Sequence, residues 1–176
     1  MWGAFFPVDQ GLINTAPEDS AHLPIEVRGG VAPAIALLGD FTARDLILEV
    51  DVAFVGNGAP GIVFRVLEEE GVIHNMFSVA IHANGMNLWY LDGTRWILLS
   101  SHVRSVAPSV RHTLRVEVRA ARITAYLDGD KVIESRQPAH VVAGKAGIRA
   151  GEGLCIFYSV SVSESRPEMS TREGQQ

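Results

Sequence analysis

Short segments in which apolar and polar residues alternate constrain this chain more than any other feature. In DLILEVDVAF at 45–54, apolar side chains occupy every second position, and Glu49 and Asp51 fall between them. Successive side chains of an extended strand point to opposite faces. The segment therefore predicts a half-buried strand that carries Glu49 and Asp51 on its open face.

The same alternation recurs along the chain, and the spacing of an amphipathic helix is almost absent. Candidate strands lie at 25–29, 35–39, 45–54, 61–67, 76–83, 86–92, 95–101, 112–119, 122–129, 131–136, 145–150 and 154–164. Twelve strands are more than one open sheet usually holds, so the pattern favours two packed sheets. Dipeptides typical of tight hairpins favour antiparallel pairing, and they are Asn57-Gly58, Asn84-Gly85, Asp92-Gly93 and Asp128-Gly129. We expect an all-β, two-sheet antiparallel sandwich.

Composition narrows the classes of function. The 176 residues have a net charge of -5 and no polybasic patch, which argues against nucleic-acid binding. No apolar run approaches the length of about 18 residues that a membrane span needs. The lone Cys155 cannot form an internal disulfide and no signal peptide is visible, so we expect a cytoplasmic protein, with a secreted mature form as the alternative. Residues 1–164 are expected to form one domain and 165–176 a disordered tail.

Four segments carry a resemblance to a known superfamily. They are GIVFR at 61–65, LRVEV at 114–118, ITAYLDGDKV at 123–132 and GKAGIR at 144–149. In their order along the chain they resemble the concanavalin A-like lectin/glucanase superfamily, and most closely its laminin-G-like and carbohydrate-binding jelly-roll branches, which include 3-keto-disaccharide hydrolase domains. The resemblance implies a jelly-roll β-sandwich, but it leaves the function open because this fold hosts lectins, enzymes and adhesion modules.

The glucanase branch of this superfamily has a catalytic strand of the pattern Glu-apolar-Asp-apolar-x-Glu. The segment EVDVAF at 49–54 matches the first two carboxylates, but Ala53 and Phe54 stand where the remaining Glu falls. Retaining hydrolysis needs two carboxyl groups about 5 to 5.5 Å apart, whereas residues i and i+2 of one strand face are about 6.5 to 7 Å apart at the backbone. Glu49 and Asp51 are therefore either a catalytic pair or members of cross-strand ion pairs, and we favour the second interpretation.

Alternation also suggests which side chains bind a ligand. If their strands share one curved sheet, polar side chains of several strands meet on its concave face. Charged side chains bind vicinal sugar hydroxyls, and an aromatic ring covers the apolar face of a sugar. The predicted ligand-binding residues are Glu49, Asp51, Arg65, Trp89, Arg115 and Tyr126, and Glu117 is expected beside them.

Trp89 enters this set by its position on the hairpin MNLWYLDGTRW. Met86, Leu88 and Tyr90 have the parity of an inward-facing set, so Trp89 is the ring that we expect outside the core.

Metal and cofactor sites have weaker support. The histidines lack the spacing of a metal site such as HxH or HExxH, so we predict no metal centre and no cofactor. The alternative is a structural calcium ion held by oxygens of Asp40, Asp45 and Glu68–Glu70.

The leading hypothesis is a lectin-like module that binds a glycan on the concave sheet face and the adjoining loops. The first alternative is a glycoside-processing hydrolase of the 3-keto-disaccharide hydrolase or glucanase type, for which no catalytic residue is assigned. The second is a laminin-G-like protein-interaction module. The expected partner is a carbohydrate, with no nucleic acid and no membrane, and a homodimer through sheet edges is a further prediction.

Overall fold

The computed structural model describes residues 25–29 and 33–165 of the chain, and within them it is almost entirely β-structure. The strands are β1 (Ile25–Gly29), β2 (Ala34–Ala43), β3 (Leu46–Val55), β4 (Pro60–Glu69), β5 (Val72–His82), β6 (Gly85–Asp92), β7 (Arg95–Val103), β8 (His112–Arg119), β9 (Arg122–Leu127), β10 (Asp130–Arg136), β11 (Gly144–Ala150) and β12 (Gly153–Glu164). A single 3₁₀ turn, Pro138–His140, precedes β11. The described part of the chain has no helix long and apolar enough to cross a membrane.

The strands form two antiparallel sheets of six. Sheet A has the order β1-β12-β3-β8-β9-β10, and sheet B has the order β2-β11-β4-β5-β6-β7. The predicted two-sheet antiparallel sandwich is therefore confirmed. The predicted tail, residues 165–176, lies outside the described residues apart from Ser165, and the assignment of residues 1–164 to one domain stays a prediction.

The main core lies between the sheets and follows the predicted alternation. In β3, Leu46, Leu48, Val50 and Val52 are fully buried, while Glu49 and Asp51 are only partly buried. Sheet B contributes the inward side chains of β4, β5 and β6, namely Ile62, Phe64, Phe77, Val79, Ile81, Met86, Leu88 and Tyr90. The period of two along each strand thus separates the core face from the open face.

A second apolar cluster lies on the outer face of sheet B, which the alternation did not predict. Val63 lies between the core residues Ile62 and Phe64, so its side chain points away from the core. We call this group the outer cluster, and its buried members are Ile35, Val63, Val66, Ile73, Met76 and Leu91, with Leu37 and Trp96 packed against it. Sheet B therefore carries an apolar cluster on each of its faces.

The turn predictions are correct for three of the four dipeptides. Asn84-Gly85, Asp92-Gly93 and Asp128-Gly129 join strands that pair with each other. Asn57-Gly58 was wrongly expected to form a hairpin, because it connects β3 of sheet A to β4 of sheet B. Position 58 requires glycine for a steric reason, because a Cβ at Gly58 would lie 2.5 Å from the carbonyl oxygen of Leu154.

Candidate functional site

Three of the predicted ligand-binding residues form one row across sheet A. Glu49 of β3 pairs with Arg115 of β8, and Arg115 pairs in turn with Tyr126 of β9. All three are partly buried and alternate with core residues, so they lie on the outer face of the sheet. We call Glu49, Arg115 and Tyr126 the charged row.

Arg115 is the centre of this row. Its Nη2 lies 2.6 Å from Oε1 of Glu117, whereas its Nη1 lies 3.9 Å from Oε2 of Glu49. The guanidinium carbon is 5.8 Å from the centroid of the Tyr126 ring. The Nε of Arg115 is shielded and has no hydrogen-bond partner. Glu117 is therefore firmly bound to Arg115, while the side chain of Glu49, 43% exposed, keeps most of its capacity to accept hydrogen bonds.

The charged row lies in a shallow depression with a volume of about 540 Å³. The residues that line it are Glu49, Thr113, Arg115, Glu117, Tyr126, Asp128 and Gly129. Asp128 accepts hydrogen bonds from the backbone N–H of Thr113 at 2.9 Å and makes a 2.8 Å contact with Nδ1 of His112. The other ring nitrogen of His112, Nε2, lies 3.0 Å from the carbonyl oxygen of Ala107, which fixes this side of the depression.

Asp51 lies on the same face, next to the depression, and its carboxylate is fully engaged. It accepts hydrogen bonds from Thr113 at 2.7 Å, Arg111 at 2.5 Å and Ser159 at 3.0 Å. Burial acts to raise the pKa of Asp51, but these three donors outweigh it and hold the pKa below its usual value. The Asp51 carboxylate is therefore stabilised in its ionised form, which is the opposite of what a general acid requires.

Arg65 does not share this face, and that expectation is wrong. It belongs to β4 of sheet B, has a positive φ of 49° and is 1% exposed. A β-bulge here shifts the register of β4 against both β5 and β11, so Arg65 leaves the face that it would share with Val63. Its side chain turns inward.

The buried guanidinium of Arg65 binds three backbone carbonyls. It donates to the carbonyl oxygen of Arg44 from Nε and Nη2, at 3.1 and 3.0 Å, to that of His140 at 3.1 Å and to that of Ala120 at 2.5 Å. Asp45 lies 3.6 Å from its Nη2. Arg65 therefore joins three connections at one end of the sandwich instead of facing a ligand.

Trp89 is placed as its parity predicted, but in the other sheet. Leu88 and Tyr90 are buried in the core, and Trp89 is partly buried on the opposite face of β6. It pairs with Ser78 of β5, beside the outer cluster. The sequence therefore identified the correct face of the strand but not the sheet to which the strand belongs.

A polar group near Trp89 was not predicted from the sequence. Arg149 of β11 alternates with the core residues Ile148 and Ala150 and so faces outward from sheet B. It donates a hydrogen bond from Nη1 to Oγ of Ser78 at 3.0 Å, and its guanidinium carbon is 5.5 Å from the Trp96 ring centroid. Parity within KAGIRA at 145–150 is the signal that could have identified Arg149.

Two of the proposed calcium ligands are engaged elsewhere. Asp45 accepts a 2.8 Å hydrogen bond from the backbone N–H of Ala120, and Glu68 accepts one of 2.6 Å from Lys145. The hydrogen bond from Lys145 lowers the pKa of Glu68, and the backbone N–H of Gly71 adds to the effect. In the described ranges no group of three or more His, Cys, Asp or Glu side chains could hold a metal ion. A structural calcium ion stays a prediction.

Comparison with known proteins identifies the fold. No protein-family model and no curated protein sequence matches the chain. The solved carbohydrate-binding module CBM66 from Bacillus subtilis matches with a TM-score of 0.68 and 18% identity, over 85% of this chain and 100% of that chain. A β-glucanase from Bacillus licheniformis matches with a TM-score of 0.56 and 12% identity, over 73% of this chain and 69% of that chain. The chain has a concanavalin A-like jelly-roll fold.

A galectin from Caenorhabditis elegans matches as well, with a TM-score of 0.50 and 16% identity, over 83% of this chain and 93% of that chain. The resemblance noted in the sequence is therefore confirmed for the fold. This fold occurs in a carbohydrate-binding module, a galectin and a glucanase, so it is a fold that carbohydrate-binding proteins use.

Proposed function

We propose that this protein binds a carbohydrate without cleaving it, in the depression on the outer face of sheet A. The single observation that carries the proposal is the charged row, in which an open carboxylate, a guanidinium and an aromatic ring stand side by side on three paired strands. The similarity in fold to a carbohydrate-binding module and a galectin supports the class of ligand.

The chemistry of the row matches that of a sugar. Vicinal hydroxyls donate and accept hydrogen bonds together, so a carboxylate beside a guanidinium can bind both members of a pair. Glu49 supplies the acceptor, because its 3.9 Å separation from Arg115 is longer than a hydrogen bond. Arg115 supplies the donor, and the ring of Tyr126 covers apolar C–H groups. Asp128, at the edge of the depression, adds a second acceptor.

The hydrolase alternative has less support. An acid/base pair needs one carboxyl group with a raised pKa, whereas the hydrogen bonds to Asp51 hold its pKa low. The motif that places a third carboxylate is broken at Ala53 and Phe54. The fold similarity to a glucanase carries no catalytic residue to this chain.

The test is binding to a glycan array, followed by calorimetry with the tightest ligand. Glu49→Gln should weaken binding at least tenfold, because a hydrogen bond to a charged group is worth about 1.5–3 kcal/mol and every 1.4 kcal/mol is about tenfold. Tyr126→Ala should also weaken binding, because it removes the ring that covers the apolar C–H groups of the sugar. Arg95→Gln is the matched control, since Arg95 is a highly exposed arginine on the β6–β7 hairpin of the other sheet. A hydrolysis assay on the same ligand tests the alternative.

Absence of binding to any glycan would reject the proposal. Unchanged affinity in both Glu49→Gln and Tyr126→Ala would remove the depression from the site, and release of a reducing end from the bound ligand would establish the hydrolase.

A further inference from the structure

Arg149 places a positive charge on the sheet face that carries the outer cluster. On this face Val63, Met76 and Leu91 of the outer cluster are fully buried, and so is its partner Ser78, whereas Arg149 itself is only partly buried. Removing a guanidinium from water is costly unless an anion or several acceptors compensate. Arg149 therefore needs a partner more than an arginine at the rim of a protein does.

The contacts of Arg149 do not meet that need. Nη1 donates to Ser78, but Nε is shielded from water and has no hydrogen-bond partner. Burial lowers the pKa of Arg149 to about 10. No carboxylate of the described chain forms an ion pair with it.

Two other arginines show how the chain satisfies such a group elsewhere. Arg65 is more deeply buried, but it reaches three carbonyl oxygens and lies beside Asp45. Arg115 has Glu117 at 2.6 Å. The Arg149 site is built differently, with one hydroxyl and one aromatic ring around the cation.

We propose that Arg149 anchors a second binding site, on the outer face of sheet B, for an acidic sugar whose carboxylate pairs with the guanidinium. The site is independent of the depression on sheet A, so it goes beyond the function proposed above. Ser78 accepts from Nη1, which leaves the N–H groups of Nη2 for the ligand.

The surroundings indicate this class of ligand. A planar carboxylate matches the fork of a guanidinium, and a single guanidinium matches the single charge of a carboxylate better than that of a phosphate dianion. Trp96 packs at the guanidinium, and Trp89 pairs with Ser78 on the same face, so two indole rings stand where the apolar face of a sugar ring can pack. A uronic acid combines both requirements in one residue.

The experiment compares two trisaccharides that differ in the acid group, trigalacturonate and the neutral galactose trimer, by calorimetry on the full chain. We expect the protein to bind trigalacturonate more tightly than the neutral trimer. Arg149→Met, which keeps the apolar stem, should weaken trigalacturonate binding at least tenfold. Arg149→Lys should give an intermediate loss, because it keeps the charge without the planar fork. Arg95→Gln is the control for loss of an exposed arginine.

Two further measurements separate binding from folding. The melting temperature of Arg149→Met should equal or exceed that of the wild type, because a partly buried charge without an acidic partner has been replaced by an apolar side chain. Should this variant fail to fold, the proposal is wrong, because Arg149 would then be a structural group, and Arg149→Lys would still report on binding. The tryptophan fluorescence of the wild type should respond to trigalacturonate and not to the neutral trimer.

Equal affinity of the wild type for both trimers would overturn the proposal, as would unchanged affinity in both Arg149 variants. If Arg115→Met abolishes trigalacturonate binding and Arg149→Met does not, the acidic sugar binds on sheet A. In that case this inference fails and the proposed function stands.

Discussion

Arg65 provides the sharpest test of how this sandwich is held together. Its guanidinium donates to the carbonyl oxygens of Arg44, Ala120 and His140, which lie in the β2–β3, β8–β9 and β10–β11 connections. Arg65→Met keeps an unbranched apolar stem in the same space but removes every donor. All three carbonyls then lose their side-chain partner.

The expected loss follows from these contacts. A buried acceptor without a partner costs about 1–3 kcal/mol, so three acceptors at the lower bound cost about 3 kcal/mol in the free energy of unfolding. The lower bound applies for two reasons. Burial lowers the pKa of Arg65, so removing the charge recovers part of that cost, and water can reach carbonyls in surface connections.

The assay is urea unfolding followed by tryptophan fluorescence and circular dichroism, at constant m-value. A loss of about 3 kcal/mol should lower the melting temperature by roughly 6–12 °C in a protein of this size. Arg65→Lys should lose less, because an ammonium group can still donate to some of the carbonyls. The control Arg95→Met should stay within about 0.5 kcal/mol of the wild type.

A loss below about 1 kcal/mol in Arg65→Met would refute this account. The same variant tests the ligand-binding role that the sequence suggested for Arg65. Glycan affinity should be unchanged in the folded variant, because the side chain is buried away from the depression on sheet A. A loss of glycan affinity in a variant that remains folded would show that Arg65 belongs to the binding site.

Two further predictions concern acid stability and self-association. The pKa of Asp51 is lower in the folded protein than the usual 3.8, so the stability that its carboxylate contributes is present above pH 3.8 and is lost as the pH falls through the folded pKa. In urea titrations, Asp51→Asn should therefore lose less stability than the wild type between pH 7 and pH 3. Equal losses would contradict the hydrogen bonds to Asp51. The second is the predicted homodimer, for which we propose β7, an edge strand of sheet B that exposes Leu98 and Val103 and has no charged residue between Arg95 and His102. Sedimentation should show a concentration-dependent dimer that Leu98→Lys abolishes, and a monomer at every concentration would exclude pairing through this edge.

The twelve strands could be predicted from the sequence because the signal is local. In β3 and β8, the period of two decides which side chains meet the core, and Glu49 and Arg115 lie on the open face as expected. The same period placed Trp89 on the outer face of β6. These assignments need only the geometry of an extended chain.

The sequence could not show which strands share a sheet. Glu49, Arg115 and Tyr126 meet because β3, β8 and β9 are neighbours in sheet A, whereas β4 and β6 belong to sheet B. Neighbours in a sheet are chosen by the packing of the whole chain, and alternation looks the same in either sheet. Parity therefore placed Trp89 on the correct face of its strand but could not separate it from Glu49.

Arg65 and Arg149 mark the limit of the local argument most clearly. Both follow a glycine and an apolar residue or run, in GIVFR and GKAGIR. Nothing in the neighbouring residues shows that one guanidinium binds three carbonyls and the other has no carboxylate partner. The bulge in β4 turns Arg65 inward, and the alternation of β11 places Arg149 on the outer face of sheet B. The sequence alone determined the strands, the faces of the strands without a bulge, such as β3 and β8, and the fold class. Only the tertiary structure decided which charges acquired partners, because partners come from distant segments that packing brings together.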